Sequence, residues 1–276
     1  MSASSTPVLA YAAPLGYTLF VWWFSTGVIL YLDGLPRRTF KYTMAGFSGL
    51  AALGFVGLAA SSSVATPAAA YCAFTCALLV WAWQEVAFLL GVVTGPRRVP
   101  CPPDVHGWKR AALAVQTVLH HEGALLVLGA GVLAVSWGGV NQTGLWTFVI
   151  LWAMRQSAKL NVFLGVRNLS EEFLPPHLQY LRSYFVRKAM NPFWPISVLG
   201  ATVVVVPLWT ASSGNAGTFA FASSSLLATL LSLAIVEHLF LVLPLPFGAL
   251  WRWGLRSHAR ARGDLVAAPA TPISPR

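Results

Sequence analysis

Seven runs of apolar residues, separated by short polar stretches, divide the chain at about 9–32, 41–60, 68–93, 110–136, 143–165, 193–211 and 217–243. At 1.5 Å of rise per residue, a helix over any of these runs can cross a hydrocarbon layer of about 30 Å. None of the runs shows the strict alternation that a half-buried strand requires. The pattern predicts an all-α fold, a polytopic transmembrane helical bundle of about seven spanning helices, forming one domain over 1–262. The second run is dense in Gly and Ala, which suits close approach of one helix to another.

Two segments outside these runs are amphipathic. In 176–188, Leu178, Leu181 and Phe185 fall on one side and Arg182 on another. In 247–260, Trp251 and Trp253 are mixed with Arg252, Arg256 and Arg260. Both are expected to lie in the inner membrane interface, where aromatic and basic side chains gather. The Ala/Pro-rich stretch 263–276 is expected to be a disordered cytoplasmic tail.

Composition agrees with the pattern: the chain is 57% hydrophobic and 9% charged, against about 25% charged in soluble domains. The net charge of +10 raises a nucleic-acid reading, which the placement of the charges excludes. Arg37, Arg38 and Lys41 follow the first run, Arg97, Arg98, Lys109 and Arg110 the third, and Arg167, Arg182, Arg187 and Lys188 the fifth. The intervening connections carry no Lys or Arg. By the positive-inside rule the N-terminus lies outside and the C-terminus in the cytoplasm. The basic residues then form a collar able to attract anionic lipid, with Arg37, Arg38, Arg97, Arg98, Trp251 and Arg252 as inner-face anchors. No Lys or Arg precedes the first run, so no cleavable signal peptide is expected.

Polar residues inside the runs carry the candidate chemistry. The third run contains Glu85, the fourth His120, His121 and Glu122, the fifth Arg155, Lys159 and Asn161, and the seventh Glu237 and His238. Arg155 and Lys159 are four apart and share a helix face. Two cations on one face are costly in lipid, so they must face partners. All these groups fall in the inner half of the bilayer. Two cations stand against three carboxylates, a near balance that predicts one buried polar cluster joining four helices.

The cluster admits several readings. It can fix helix register. It can hold a transition metal through His121, Glu122, Glu237 and His238, although adjacent residues on a helix diverge by about 100° and Arg155 and Lys159 would repel a cation. It can handle a pigment or other substrate, or relay protons. Which of His120 and His121 faces the bundle stays open.

Other signals are structural. Cys72 and Cys76, one turn apart, read as small packing residues, and Cys101 as a reduced loop thiol. Asp33-Gly34 reads as a turn, Pro207 as a tolerated kink, and His106 and His177 as loop histidines. No Walker A, dinucleotide loop or nucleophile elbow is present in the sequence.

Four stretches carry a resemblance: VWWFSTGVILYLDGLPRRTF, AFTCALLVWAWQEVAFLLGVVTGPRR, WGGVNQTGLWTFVILWAMRQSAKLNVFLGVRNLSEEFLPPHLQYL and EHLFLVLPLP. Through them the chain resembles the photosynthetic complex assembly protein family of purple phototrophic bacteria, PuhE. The resemblance implies a multi-pass protein of the bacterial inner (cytoplasmic or intracytoplasmic) membrane. It further implies association with building the reaction centre and its core antenna or with bacteriochlorophyll supply to them, and a non-enzymatic assembly factor is the leading expectation. Its partners would be complex subunits, assembly intermediates or bacteriochlorophyll. The competing expectation is a membrane enzyme of pigment metabolism with a His/carboxylate metal centre.

Overall fold

The computed structural model describes residues 8–245 and 247–258. Within them the regular structure is helical, and the one β-bridge is an isolated contact between Val166 and Arg187. Seven long helices follow one another: α1 (Ala12–Asp33), α2 (Phe40–Ser61), α3 (Pro67–Leu89), α4 (Gly107–Ser136), α5 (Thr143–Leu164), α6 (Phe193–Ala211) and α7 (Phe219–Phe240). Short 3-10 turns occupy Val8–Tyr11, Arg37–Thr39, Glu171–Phe173, Pro176–Tyr184 and Phe247–Trp251.

Capping sets several of these limits. Thr66 accepts a hydrogen bond from the Ala69 amide and Pro67 follows it, the combination that starts α3. Thr218 accepts from the Phe221 amide and starts α7 in the same way. The third apolar run extends to 93, but α3 ends at Leu89. Gly91, at φ +74°, turns the chain into the left-handed region there. The His177 ring nitrogen donates to the freed Leu89 carbonyl. The return segment then lies against α4, where the His121 amide donates to the Thr94 carbonyl at 2.8 Å and a Cβ at Gly95 would strike Gln116.

Six helical spans are long and apolar enough to cross a membrane. The expected seventh, α5, has the length but not the apolarity, because Arg155, Gln156 and Lys159 interrupt it. The bundle resolves the conflict by position. α3 and α7 are its most enclosed spans, each 61% buried over its apolar window against 17% or less for the others, and α5 packs on α3, α4 and α7. Arg155 and Lys159 each reach a neighbouring helix, but Arg155 keeps 44% of its side chain accessible, so its expected burial is corrected to partial.

One core joins α3, α6 and α7 around Phe74, Leu226 and Leu230; another joins α2, α3, α4 and α5 around Leu58, Val80, Leu125 and Phe148. α2 approaches α3 closely because Gly54 and Gly57 leave room for Cys76, whose carbonyl and sulfur a Cβ would strike. The outward faces of α2, α4 and α6 expose Leu53, Val56, Leu126, Val127, Leu199 and Val203. On a span these form the surface offered to lipid.

The two amphipathic segments turn inward. Pro176–Tyr184 is a 3-10 helix with Leu178 and Leu181 buried in the protein. Arg97 donates to the Tyr184 hydroxyl at 2.6 Å, and Arg110 to the Tyr184 carbonyl. Trp251, expected as an interface anchor, is 4% exposed: its indole donates to the Trp23 carbonyl, and Trp253 fills the notch left by Gly27 of α1. The expected tail 263–276, with residues 259–262 before it, lies outside the described residues.

Candidate functional site

The helix rotations decide which polar residues meet. On α3, Glu85 turns to α5 and binds Arg155, Oε2 to guanidinium nitrogen at 2.8 Å. One α5 turn later, Lys159 binds Glu122 of α4 at 2.6 Å, and the Gln156 amide donates to the other oxygen of the same carboxylate. The i, i+4 spacing of Arg155 and Lys159 thus ties α5 to two different helices.

His121 is 1% exposed, with its ring 4.6 Å from that of Phe88. It lies within electrostatic reach of both ion pairs, and its Nδ1 has no hydrogen-bond partner among the described residues. His120 points the other way and is exposed. Its expected place in the buried cluster is corrected: one step along α4 rotates it out of the bundle.

The expected single cluster divides further. His238 does not reach the carboxylates. Its Nε2 meets the Ser157 hydroxyl at 2.9 Å and its Nδ1 the Ala234 carbonyl at 2.9 Å. Asn161, fully buried, donates to Ser197 of α6 and to the Ser157 carbonyl. Asn191 completes this second network. Its amide donates to Asn161 and to the Gly165 carbonyl, while its Oδ1 accepts from the Phe193 and Trp194 amides that open α6.

Glu237 is neither buried nor ion-paired, a second correction. Its residue is exposed, and its Oε1 accepts from the Trp22 indole at 2.7 Å. The adjacent positions 237 and 238 diverge around α7, so one faces α1 and the other α5.

The donors do not fit a transition-metal centre. Among the described residues no three His, Cys, Asp or Glu side chains gather to hold a metal, and of the four candidates Glu122 is already bound to Lys159. The two buried histidines differ: both His238 nitrogens are engaged, whereas His121, packed against Phe88, keeps its Nδ1 without a partner among the described residues.

A separate ion pair escaped the sequence reading. Asp33 is not a surface turn residue but a buried partner of His258, at 2.5 Å, with side chains 2% and 3% exposed. His258 also meets the Leu30 carbonyl at 3.0 Å, and Ser257 packs on Gly34. The segment after α7 is thereby clasped to the end of α1. The signal was absent from local pattern because the partners are 225 residues apart. Outside the spans, burial lowers the pKa of His177, aided by the charges of Arg37, Arg98 and His258 and opposed by its bond to the Leu89 carbonyl. The ring is therefore neutral near pH 7.

Residues 8–262 match a family described as a protein of unknown function (DUF3623). A protein of Rhodobacter capsulatus, described as an uncharacterized 30.4 kDa protein in the puhA 5' region, is 40% identical over 245 residues. The match covers 87% of this chain and 89% of that protein. No solved structure matches the chain.

Proposed function

The chain belongs to the DUF3623 family, and from that membership we propose that it is an integral membrane assembly factor for the bacterial photosynthetic reaction centre and core antenna. The observation that carries this reading is the 40% identical Rhodobacter relative, whose description places it in the puhA 5' region. That location supports a photosynthesis-related role and the narrower assignment to PuhE. The protein would act in the inner or intracytoplasmic membrane on assembly intermediates or on bacteriochlorophyll supply. The alternation of basic and uncharged connections supports an outside N-terminus and a cytoplasmic C-terminus, with α5 as the seventh span.

The geometry favours a scaffold. The two cations of α5 are each paired with one carboxylate, an arrangement that sets helix register. Of the histidines in α4 and α7, exposed His120 is the one that a lipid-borne partner could reach.

The test is an in-frame deletion of the gene in its phototrophic host, complemented by wild type. The expected result is a several-fold loss of near-infrared absorbance from reaction centre and core antenna, with the bacteriochlorophyll species unchanged. Accumulation of a chemically distinct pigment precursor would instead support the metalloenzyme of pigment metabolism. Normal complexes would overturn both.

A further inference from the structure

Two tryptophans set the height of α4 in the bilayer. Trp108 stands at its start and Trp137 just past its end, 91% and 78% exposed. Tryptophan gathers where hydrocarbon meets headgroups, and the basic pair Lys109 and Arg110 follows Trp108. Trp137 comes 29 residues after Trp108, about 43 Å at 1.5 Å per residue, against about 40–45 Å for a bilayer with its headgroups. His120 is 12 residues from Trp108 and 17 from Trp137, about 18 Å and 25 Å along the helix. Its side chain is thus exposed at the depth of the hydrocarbon.

The face around His120 is partly polar and partly bare. Gln116, one turn nearer Trp108, is exposed as well, and residues four apart share a face. Neither side chain meets a hydrogen-bond partner among the described residues. Polar groups turned to hydrocarbon are expensive and seek partners. On the other side of His120 come Gly123 and Ala124, and a Cβ at Gly123 would meet nothing within 4 Å. The helix is flat and open there. Further out, a Cβ at Gly131 would stand 3.0 Å from the Phe55 ring of α2. Gly131 follows His120 by 11 residues, about three turns, so the two point the same way. α2 therefore closes this face at Gly131 and leaves it open at His120.

Chemistry selects the occupant. Whatever reaches His120 comes past apolar surface, since Leu119, Leu126 and Val127 are exposed beside it. Imidazole supplies a nitrogen lone pair and is the commonest metal ligand among side chains. A metal soluble in hydrocarbon is one held in an apolar macrocycle. Haem brings propionates, and no Lys or Arg lies between 116 and 127 to receive them. A magnesium tetrapyrrole with esterified carboxyls needs no such partner. Its flat ring suits Gly123 and Ala124, and the Gln116 amide is a donor for a carbonyl on its rim. We propose that His120 binds the central magnesium of an esterified tetrapyrrole pigment, with the ring over Gly123 and Ala124. The inference rests on the proposed role in bacteriochlorophyll supply and names the residue that holds the pigment.

Removing the magnesium gives the test. Bacteriopheophytin keeps the ring and esters of bacteriochlorophyll but has no metal. The full chain, made in a host without either pigment and purified in mild detergent, is offered each in turn. Pigment retained per protein is counted after gel filtration. Wild type should hold bacteriochlorophyll about tenfold more tightly than bacteriopheophytin, a difference of about 1.4 kcal/mol. His120→Phe, which removes the lone pair from an exposed position, should bring the two within about twofold. Gly123→Leu, which adds bulk beside an intact imidazole, should weaken bacteriochlorophyll about threefold or more.

Equal retention of the two pigments by wild type overturns the proposal. So does an unchanged preference in His120→Phe. If that variant does not accumulate, Gly123→Leu decides, and unchanged binding overturns the proposal. Retention of ubiquinone in place of both pigments, lost in His120→Phe, would assign the face to a quinone and overturn it as well. These readings are made on the purified chain, so they are separate from the assembly role. Normal complexes after deletion of the gene would remove that role and leave a measured magnesium preference standing.

Discussion

Asp33 and Glu85 are both carboxylates bonded to a basic side chain, and their settings predict unequal energetics. Asp33 and His258 are almost fully enclosed. Asp33→Ala removes the carboxylate from this enclosed pair and should destabilise the protein by about 3–5 kcal/mol. Glu85→Ala leaves Arg155 with nearly half its side chain accessible, so screening reduces the cost to about 1–3 kcal/mol. Reversible unfolding of both variants in one detergent measures the order, which should be Asp33 above Glu85. His177 gives a pH dependence with a definite sign. Burial lowers its folded pKa below the ordinary value near 6.5, so the unfolded chain binds more protons as pH falls. The stability tied to the neutral ring is present above about pH 6.5 and is lost below it. The unfolding midpoint should drop from pH 7 to pH 5 in wild type and drop less in His177→Asn. Equal slopes would show that burial of the His177 ring does not carry this pH dependence.

The helices show which residues could be read in advance. Arg155 and Lys159 were legible as a pair needing partners, because a four-residue spacing on an apolar run leaves few alternatives. Depth put Glu85, Glu122 and Glu237 together as candidate partners without choosing among them. The rotation of each helix was not legible, so His120 and Glu237 were placed inside, and the structure turns both outward. Asn191 was illegible because its value lies in bonds to Asn161 and Gly165 on another helix. Two variants test the element-level account. Glu122→Met with Lys159→Met removes both charges of one pair, and the double variant should be more stable than either single one. Strict additivity would contradict the pairing. Gly27→Val places a side chain where the Trp253 indole lies, since a Cβ at position 27 would stand 2.0 Å from that ring. It should release the segment after α7 from α1, read as new tryptic cleavage at Arg252 or Arg256, and cost about 1–3 kcal/mol.

At the scale of the molecule, α3 and α7 form the enclosed axis, α5 carries the charges against it, and the apolar faces of α2, α4 and α6 turn outward. Composition and run length were enough to read a helical bundle. The closure of its ends was not, since the Asp33–His258 clasp and the Tyr184 contacts join distant parts of the chain. The account of function rests on action toward photosynthetic complexes in the membrane. Its most direct test is purification of the tagged protein in mild detergent from a phototrophic host during complex synthesis. The co-purifying polypeptides, the absorption spectrum and the metal content are measured on the same sample. Reaction-centre or core-antenna subunits, with or without bacteriochlorophyll, are the predicted result. Stoichiometric iron, zinc or manganese, without those subunits, would contradict it.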